Sequence, residues 1–450
     1  FNGSGGTWRP ATSTLTVANN LNVTVGTMDN ETNDRILDVA GDVTIGGTGV
    51  LQASSTASFT VGAGWTNAGT FTANSGTVTL DAGSGTRAIN STGAASASFN
   101  NLTLNDGGGP TTFQLGSALD VNGNLLITGG TLDTKSGSNW GITIAGNWTN
   151  SDTFTAQSGL VTADGTGQQT FGGTLTGSTG KFYDLTVTNA GASNPDVILG
   201  AAAEVARNFT AATASTQLQF TAGSTYTFLN ISFNGQAAGT RVALRSSTPG
   251  TQWNLTTNGT RSVLNTDVQD SDACASSTTI DATGGTNVDS TNNECWAFHA
   301  LSVSLTPNSI NLGNLSATLV SQDGVVLTVS TDAASGYTST VYYGGTMSSG
   351  GGQTIADTTG GTIPASSEEF GVATSKSGYT VTQWSPTSCA DTASTSNATA
   401  LSASTPKTFA GSTGLVTGDQ TTLCFLASIT GTTAAGDYSS IVTVVTTGLY

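Results

Sequence analysis

The chain has 450 residues, only 9% of them Asp, Glu, Lys or Arg, with 59 glycines and a formal charge of −17 from 28 acids and 11 bases. A typical soluble domain carries about 25% charged residues, so a charged disordered tail is excluded. No apolar run reaches the ~18 residues of a membrane span, eight prolines exclude collagen, sustained helix formers are missing, and the acid excess repels nucleic acid and anionic membranes.

What remains is a Thr/Gly-rich β-protein long enough for two or three domains. The chain opens on Phe1 with no leader before it, which reads as a processed form or a fragment. Three stretches then align: LTVANNLNVTVGTM (15–28), LDVAGDVTIGGTGV (37–50) and FTVGAGWTNAGTFT (59–72). Val17, Val39 and Val61 are spaced by 22 residues, as are Leu21, Val43 and Trp65. A Gly-Thr pair closes each copy, at Gly26-Thr27, Gly47-Thr48 and Gly69-Thr70.

Alternation within each unit predicts short strands joined by turns. A 22-residue unit of this kind is one rung of a right-handed parallel β-solenoid, about 4.8 Å high. One rung cannot bury its apolar face. Stacking lines up the inward Val, Leu, Ile and Phe, and pairs each backbone N–H and C=O with the rung above or below. Such a fold needs few charges, uses Gly at φ > 0 corners, and lets corner Asn and Thr bond between rungs. The first 300 residues are expected to form about thirteen rungs, a rod roughly 60 Å long.

A longer repeat lies above the short one. GWTNAGTFTANSGTVTLD (64–81) matches GNWTNSDTFTAQSGLVTAD (146–164), with Trp65 and Trp148 83 residues apart. SFNNLTLND (98–106) matches KFYDLTVTN (181–189), and Phe99 to Phe182 is again 83. A degraded copy, FLNISFN (228–234), precedes the fading of the pattern.

Asp267, Asp270, Asp272, Asp281, Asp289 and Glu294 cluster in and just before a loop bounded by Cys274 and Cys295, with Trp296 and Phe298 behind it. This segment, about 267–298, is expected to cap the solenoid, since an open end must be covered. Its carboxylates are candidate Ca²⁺ ligands, although their spacing matches no EF-hand or nonapeptide repeat. A lesser cluster is Asp29-Asn30-Glu31 with Asp34. The cysteines are expected to pair locally, Cys274 with Cys295 (21 apart) and Cys389 with Cys424 (35 apart), which requires an oxidising compartment. No CxxC or Cys/His spacing suits zinc. Asn22, Asn147 and Asn397 head Asn-X-Ser/Thr sequons, candidate glycosylation sites.

From Leu301 the register is lost. The stretches 301–315, 324–332, 338–345, 368–375, 379–384, 421–429 and 438–450 alternate like strands of an antiparallel β-sandwich of immunoglobulin type. The division is therefore a shaft over 1–300 and a sandwich over 301–450.

Catalytic patterns are missing. The single histidine, His299, sits beside Phe298 as a packing residue at the junction, and no nucleophile elbow, P-loop or dinucleotide fingerprint occurs. Gly350-Gly351-Gly352 reads as a flexible loop. Solenoid polysaccharide enzymes need paired carboxylates, whereas Asp81 and Asp164 stand rungs apart and Asp120 and Asp133 stand singly. The seven tryptophans could stack on sugars, but the repetition of Trp65 at Trp148 favours packing.

The rung Leu119-Asp120-Val121-Asn122-Gly123-Asn124-Leu125 and the Gly69-Thr70-Phe71 element resemble the β-solenoid shafts of filamentous-haemagglutinin and autotransporter-type bacterial surface proteins. Residues 301–450 resemble sandwich domains of bacterial surface and fibre proteins, with Gly436-Asp437-Tyr438 leading into the last strand. The resemblance implies a secreted structural subunit of an extracellular filament or cell-surface appendage, assembling with copies of itself by strand addition at 1–10 or 438–450. A monomeric adhesin binding glycans through the solenoid face is the second expectation, and a polysaccharide-degrading enzyme the third.

Overall fold

The structure is a computed structural model that describes all residues except 93–97, 190, 192, 299, 334, 385–388, 390–394 and 450. Among the described residues, one 3-10 turn, Gly177–Thr179, is the sole helical element, and the rest of the secondary structure is β. Among the described residues, no helix is long and apolar enough to cross a membrane. The chain divides into two compact units, Phe1–Phe298 and His299–Tyr450.

The first unit is a parallel β-solenoid. One sheet of 13 strands runs from Thr14–Val17 to Val288–Asp289, and two of nine strands run from Asn2–Trp8 to Thr153–Thr155 and from Leu119–Val121 to Ser271–Asp272. The 22-residue spacing becomes direct pairing: Leu21 stands beside Val43, and Val43 beside Trp65. A single ladder passes through Leu15, Leu37, Phe59, Val78, Leu102, Leu125, Trp148 and Phe171. Every member but Leu15 is buried. Stacked apolar side chains and saturated backbone pairing thus hold the shaft, and twelve steps of about 4.8 Å give a length of roughly 58 Å.

Corners obey the same stacking. Asn124 donates its N–H to Asn101 Oδ1 (2.9 Å), Asn147 to Asn124 Oδ1 (2.8 Å) and Thr170 to Asn147 Oδ1 (2.7 Å), an amide ladder that satisfies corner N–H groups between turns. At the Gly26 and Gly69 corners the backbones touch, and in the turn between them the tight position is Gly49 rather than Gly47. A Cβ on Gly69 would lie 2.0 Å from the Gly46 carbonyl oxygen, and Gly26 combines a φ of +81° with 2.1 Å to the Gly3 oxygen. Only glycine fits there.

The 83-residue repeat produces two copies of one aromatic triplet. Trp65 meets Phe71 edge-on at 4.7 Å and Phe99 at 5.0 Å; Trp148 meets Phe154 edge-on at 4.8 Å and Phe182 at 5.3 Å. Yet Trp65 belongs to a nine-stranded sheet and Trp148 to the 13-stranded one. On the long ladder, four turns before Trp148 stands Phe59, not Trp65. The repeat is therefore one face short of four turns, and each copy rotates onto a neighbouring face.

Parallel pairing continues through the acid-rich segment. Thr266–Val268 pairs with Val288–Asp289, and Ile280–Ala282 with Trp296–Phe298. The segment marked as a cap is itself made of the last stacked strands, fastened by the Cys274–Cys295 disulfide.

The second unit is a β-sandwich whose strands pair antiparallel except Thr354–Asp357 with Glu369–Thr374, which run parallel. Leu301–Thr306, Ser321–Thr331, Val416–Ser428, Glu369–Thr374, Thr354–Asp357, Met347–Ser349 and Tyr438–Ser439 form one sheet in that order; Lys407–Ser412, Tyr337–Tyr343 and Val442–Gly448 form the other. Leu327, Val341, Phe370, Phe409 and Leu423 pack between them. Val416–Ser428 also packs Cys424 and Leu426 on its opposite side against Ile363 and Ala398, which explains its near-continuous apolar run. The Cys389–Cys424 disulfide joins that side. The expected strand at 379–384 does not form. Thr380 and Thr382 donate their N–H groups to the hydroxyls of Thr408 and Thr399, whereas Val381 and Trp384 donate theirs to the carbonyls of Thr408 and Thr374, so among the described residues the segment makes only a single bridge, Thr374 with Gln383, and no continuous ladder. Five strands form outside the expected stretches: Met347–Ser349, Thr354–Asp357, Thr362–Pro364, Thr395–Asn397 and Lys407–Ser412.

Candidate functional site

Among the described residues, the first and last long strands are paired on one side only. Asn2–Trp8 pairs with Leu21–Asp29 and Val442–Gly448 with Tyr337–Tyr343, and each is the last strand of its sheet. Phe1 and Trp8 lie over the first edge with rings 6.4 Å apart, 37% and 39% exposed. The Phe1 amine donates to the Asn22 carbonyl oxygen, tying the chain start to the next turn. The edge Val442–Gly448 (VTVVTTG) contains no Lys, Pro or acid, the residues that ordinarily blunt an exposed edge. At the opposite edge of the same sheet, Lys407–Ser412 begins with such a lysine.

The acidic cluster resolves into separate partners. Asp267 binds Arg245 (2.5 Å), and Asp270 accepts from Asn292 Nδ2 (2.7 Å) and the Gly250 N–H (3.1 Å). Asp281 accepts from the Thr283 N–H and hydroxyl, and Asp289 from Thr291 N–H and Asn293 Nδ2. Asp272 accepts from the Cys274 N–H (2.8 Å) and stands beside Glu294 on the next turn. Among the described residues, Asp272, Cys274 and Glu294 are the one metal-ligand type group whose atoms converge. Cys274 is in a disulfide and has no thiolate to offer, which leaves two carboxylates for a hard cation such as Ca²⁺. In the lesser cluster, burial tends to raise the Asp29 carboxyl, but the hydroxyl and N–H of Thr32 and the Arg9 guanidinium outweigh it and hold the group below its ordinary value. Glu31 accepts from the Ser55 N–H and Asp34 from the Ser54 hydroxyl.

The repeat also places two carboxylate pairs on the shaft. Burial first, and then the charge of Asp38, push the Asp81 carboxyl up; Asp164 is raised in the same order by burial and Asp120. Asp38 lies on Ile36–Val39, and Asp81 follows Thr77–Leu80, with Phe59–Val61 between. Two strand spacings of about 4.8 Å set the strands of each pair roughly 10 Å apart. A separate shaft cavity of about 250 Å³ contains one carboxylate, Glu204, which binds Lys181 at 3.3 Å. His299 lies outside the described residues.

Trp65, Trp148 and Trp253 are fully buried and Trp140 packs against the core, so these four rings are packing residues rather than sugar platforms. Of the sequon asparagines, Asn22 is exposed on its strand and Asn147 uses its carbonyl oxygen in the corner ladder. Asn397 Nδ2 donates to the Gln383 carbonyl (3.3 Å). The stretch 301–315, expected as one strand, breaks after Thr306. Ile310, Leu312 and Leu315 then line a cavity with the last strand. The signal was present in Pro307-Asn308-Ser309, which favours a turn.

Comparison with protein-family models, with curated proteins and with solved structures finds no match.

Proposed function

We propose that this protein is a secreted structural subunit of an extracellular filament or cell-surface appendage, assembling with copies of itself through its terminal strands and carrying out no catalysis. The observation that carries the reading is the pair of one-sided terminal strands, Asn2–Trp8 and Val442–Gly448, in units built almost wholly of saturated β-ladders. An unpaired, uncharged edge is a template for another chain. A disulfide in each unit suits an oxidising, protease-exposed setting. The low charge density leaves few side chains that would repel a neighbouring copy at the edges.

Electron microscopy of the purified native material, paired with sedimentation velocity over a hundredfold concentration range, tests this. Continuous fibres with a regular axial repeat are expected. Isolated short rods at every concentration would sink the assembly reading and leave the monomeric adhesin in its place.

A further inference from the structure

The Cys274–Cys295 disulfide sits among other metal-ligand atoms. A carboxylate oxygen of Asp272, the Sγ of Cys274 and a carboxylate oxygen of Glu294 all lie within 4.8 Å of one another, and the Cys295 Sγ is bonded to that of Cys274. Two carboxylates and two sulfurs are a donor set for a four-coordinate borderline cation, and one S–S bond withholds the sulfurs. The second disulfide differs: among the described residues no group of three such atoms forms around Cys389 and Cys424, and Cys424 is buried. Backbone bonds that involve no sulfur hold the donors in place. Ala273 donates its N–H to the Glu294 carbonyl (3.0 Å), Glu294 to the Ser271 carbonyl (2.8 Å) and Ile280 to the Cys295 carbonyl (2.9 Å), while the Cys274 N–H bonds Asp272 Oδ1 (2.8 Å). Opening the disulfide therefore leaves the four side chains beside one another. Cys274 and Glu294 are exposed, so a reductant and an ion can both reach them.

We propose that reduction of this disulfide converts it into a metal site, in which Asp272, Cys274, Glu294 and Cys295 together hold one Zn²⁺ or a cation of the same class. A dithiol reductant supplies two electrons: the S–S bond breaks, two thiols form, and the dithiol closes to its own disulfide. The cation then replaces both thiol protons, which pass to solvent, because the thiolate is the ligand. With Zn–S bonds of about 2.3 Å, tetrahedral geometry sets the two sulfurs about 3.7 Å apart, a separation that Cα atoms 5.0 Å apart admit. While the disulfide is closed, only the two carboxylates remain, and oxygen ligands suit hard cations instead. The ion thus clamps in the reduced chain the same turns that the disulfide clamps in the oxidised one. This site goes beyond the assembly reading and does not rest on it.

The test uses Co²⁺ as a spectroscopic probe on the full chain, reduced with excess dithiol that is then removed by gel filtration under argon. The reduced chain should develop the thiolate-to-cobalt absorption, equimolar Zn²⁺ should erase it, and the oxidised chain should show none. Asp272→Asn and Glu294→Gln should each weaken Zn²⁺ binding by at least what the loss of an outer-shell partner costs, about tenfold. Replacing Cys389 and Cys424 together by Ser should leave the absorption in place. Three results overturn the proposal: no sulfur–cobalt absorption in the reduced chain, an absorption that survives replacing Cys274 and Cys295 together by Ser, or an affinity unchanged in both carboxylate variants. Where reduction alone loosens the last turns, seen as fast hydrogen exchange over 266–298, Zn²⁺ should restore slow exchange there and Mg²⁺ should not. Exchange that stays fast with Zn²⁺ present overturns it as well.

Discussion

Phe154→Ala probes whether the long repeat builds independent, equivalent pieces of core. Phe154 is buried, meets Trp148 edge-on at 4.8 Å and Phe182 at 5.8 Å, and has its counterpart in Phe71. Emptying a buried phenylalanine site costs about 3–5 kcal/mol, of which each aromatic pair accounts for about 0.5–1.5 kcal/mol. Phe71 touches Trp65 at 4.7 Å, Phe99 at 5.8 Å and also Phe59 at 6.5 Å, so Phe71→Ala should cost up to about 1 kcal/mol more. Nearly four turns separate the two sites, well beyond the 7–10 Å over which substitutions couple, so the double variant should lose the sum within about 0.5 kcal/mol. Guanidinium unfolding followed by fluorescence of the buried tryptophans measures all three variants. A loss below about 1 kcal/mol at either site, or an interaction above about 1 kcal/mol between them, would refute the picture of two separately packed triplets.

Gly69→Ala should destabilise the shaft by about 2 kcal/mol or more, because its Cβ would meet the Gly46 and Gly49 carbonyl oxygens at 2.0 and 2.5 Å; Gly83→Ala, with nothing within 4 Å, should shift a thermal melt little. Asp196 is buried with one carboxylate oxygen lacking a partner, and burial raises its carboxyl above the ordinary 3.8, more than the Gln217 N–H lowers it. The folded state then holds the proton more tightly than the unfolded chain, so this contribution is full below 3.8 and is lost as pH rises through the raised value. Asp196→Asn should flatten that fall when unfolding is measured between pH 3 and 7, and an unchanged pH profile would count against it. Replacing Cys274 and Cys295 together by Ser should cost about 3 kcal/mol for a loop of this size, with faster hydrogen exchange confined to about 266–298 because each turn contacts only its neighbours. Equal acceleration near Trp148 would contradict that local effect.

The repeating sequence determined the solenoid, because a 22-residue spacing of Val17, Val39 and Val61 has one physical use: each residue buries itself against the one a turn away. The same text determined the local disulfides and the corner roles of Gly and Asn, whose partners lie one turn or one loop away. What depends on how strands meet was decided only in three dimensions. That the 83-residue repeat stops one face short of four turns is invisible in a list of spacings, because the length of each turn varies with its corners. The acids of 267–294 read as one cluster along the chain, yet stacking hands Asp267 to Arg245 and Asp270 to Asn292 and Gly250. The sandwich shows the limit most clearly. Val442–Gly448 announces a strand by alternation alone, but which strand it pairs with, and that Val442 and Val444 line a groove with Leu305 and Phe425, depends on residues that are distant along the chain.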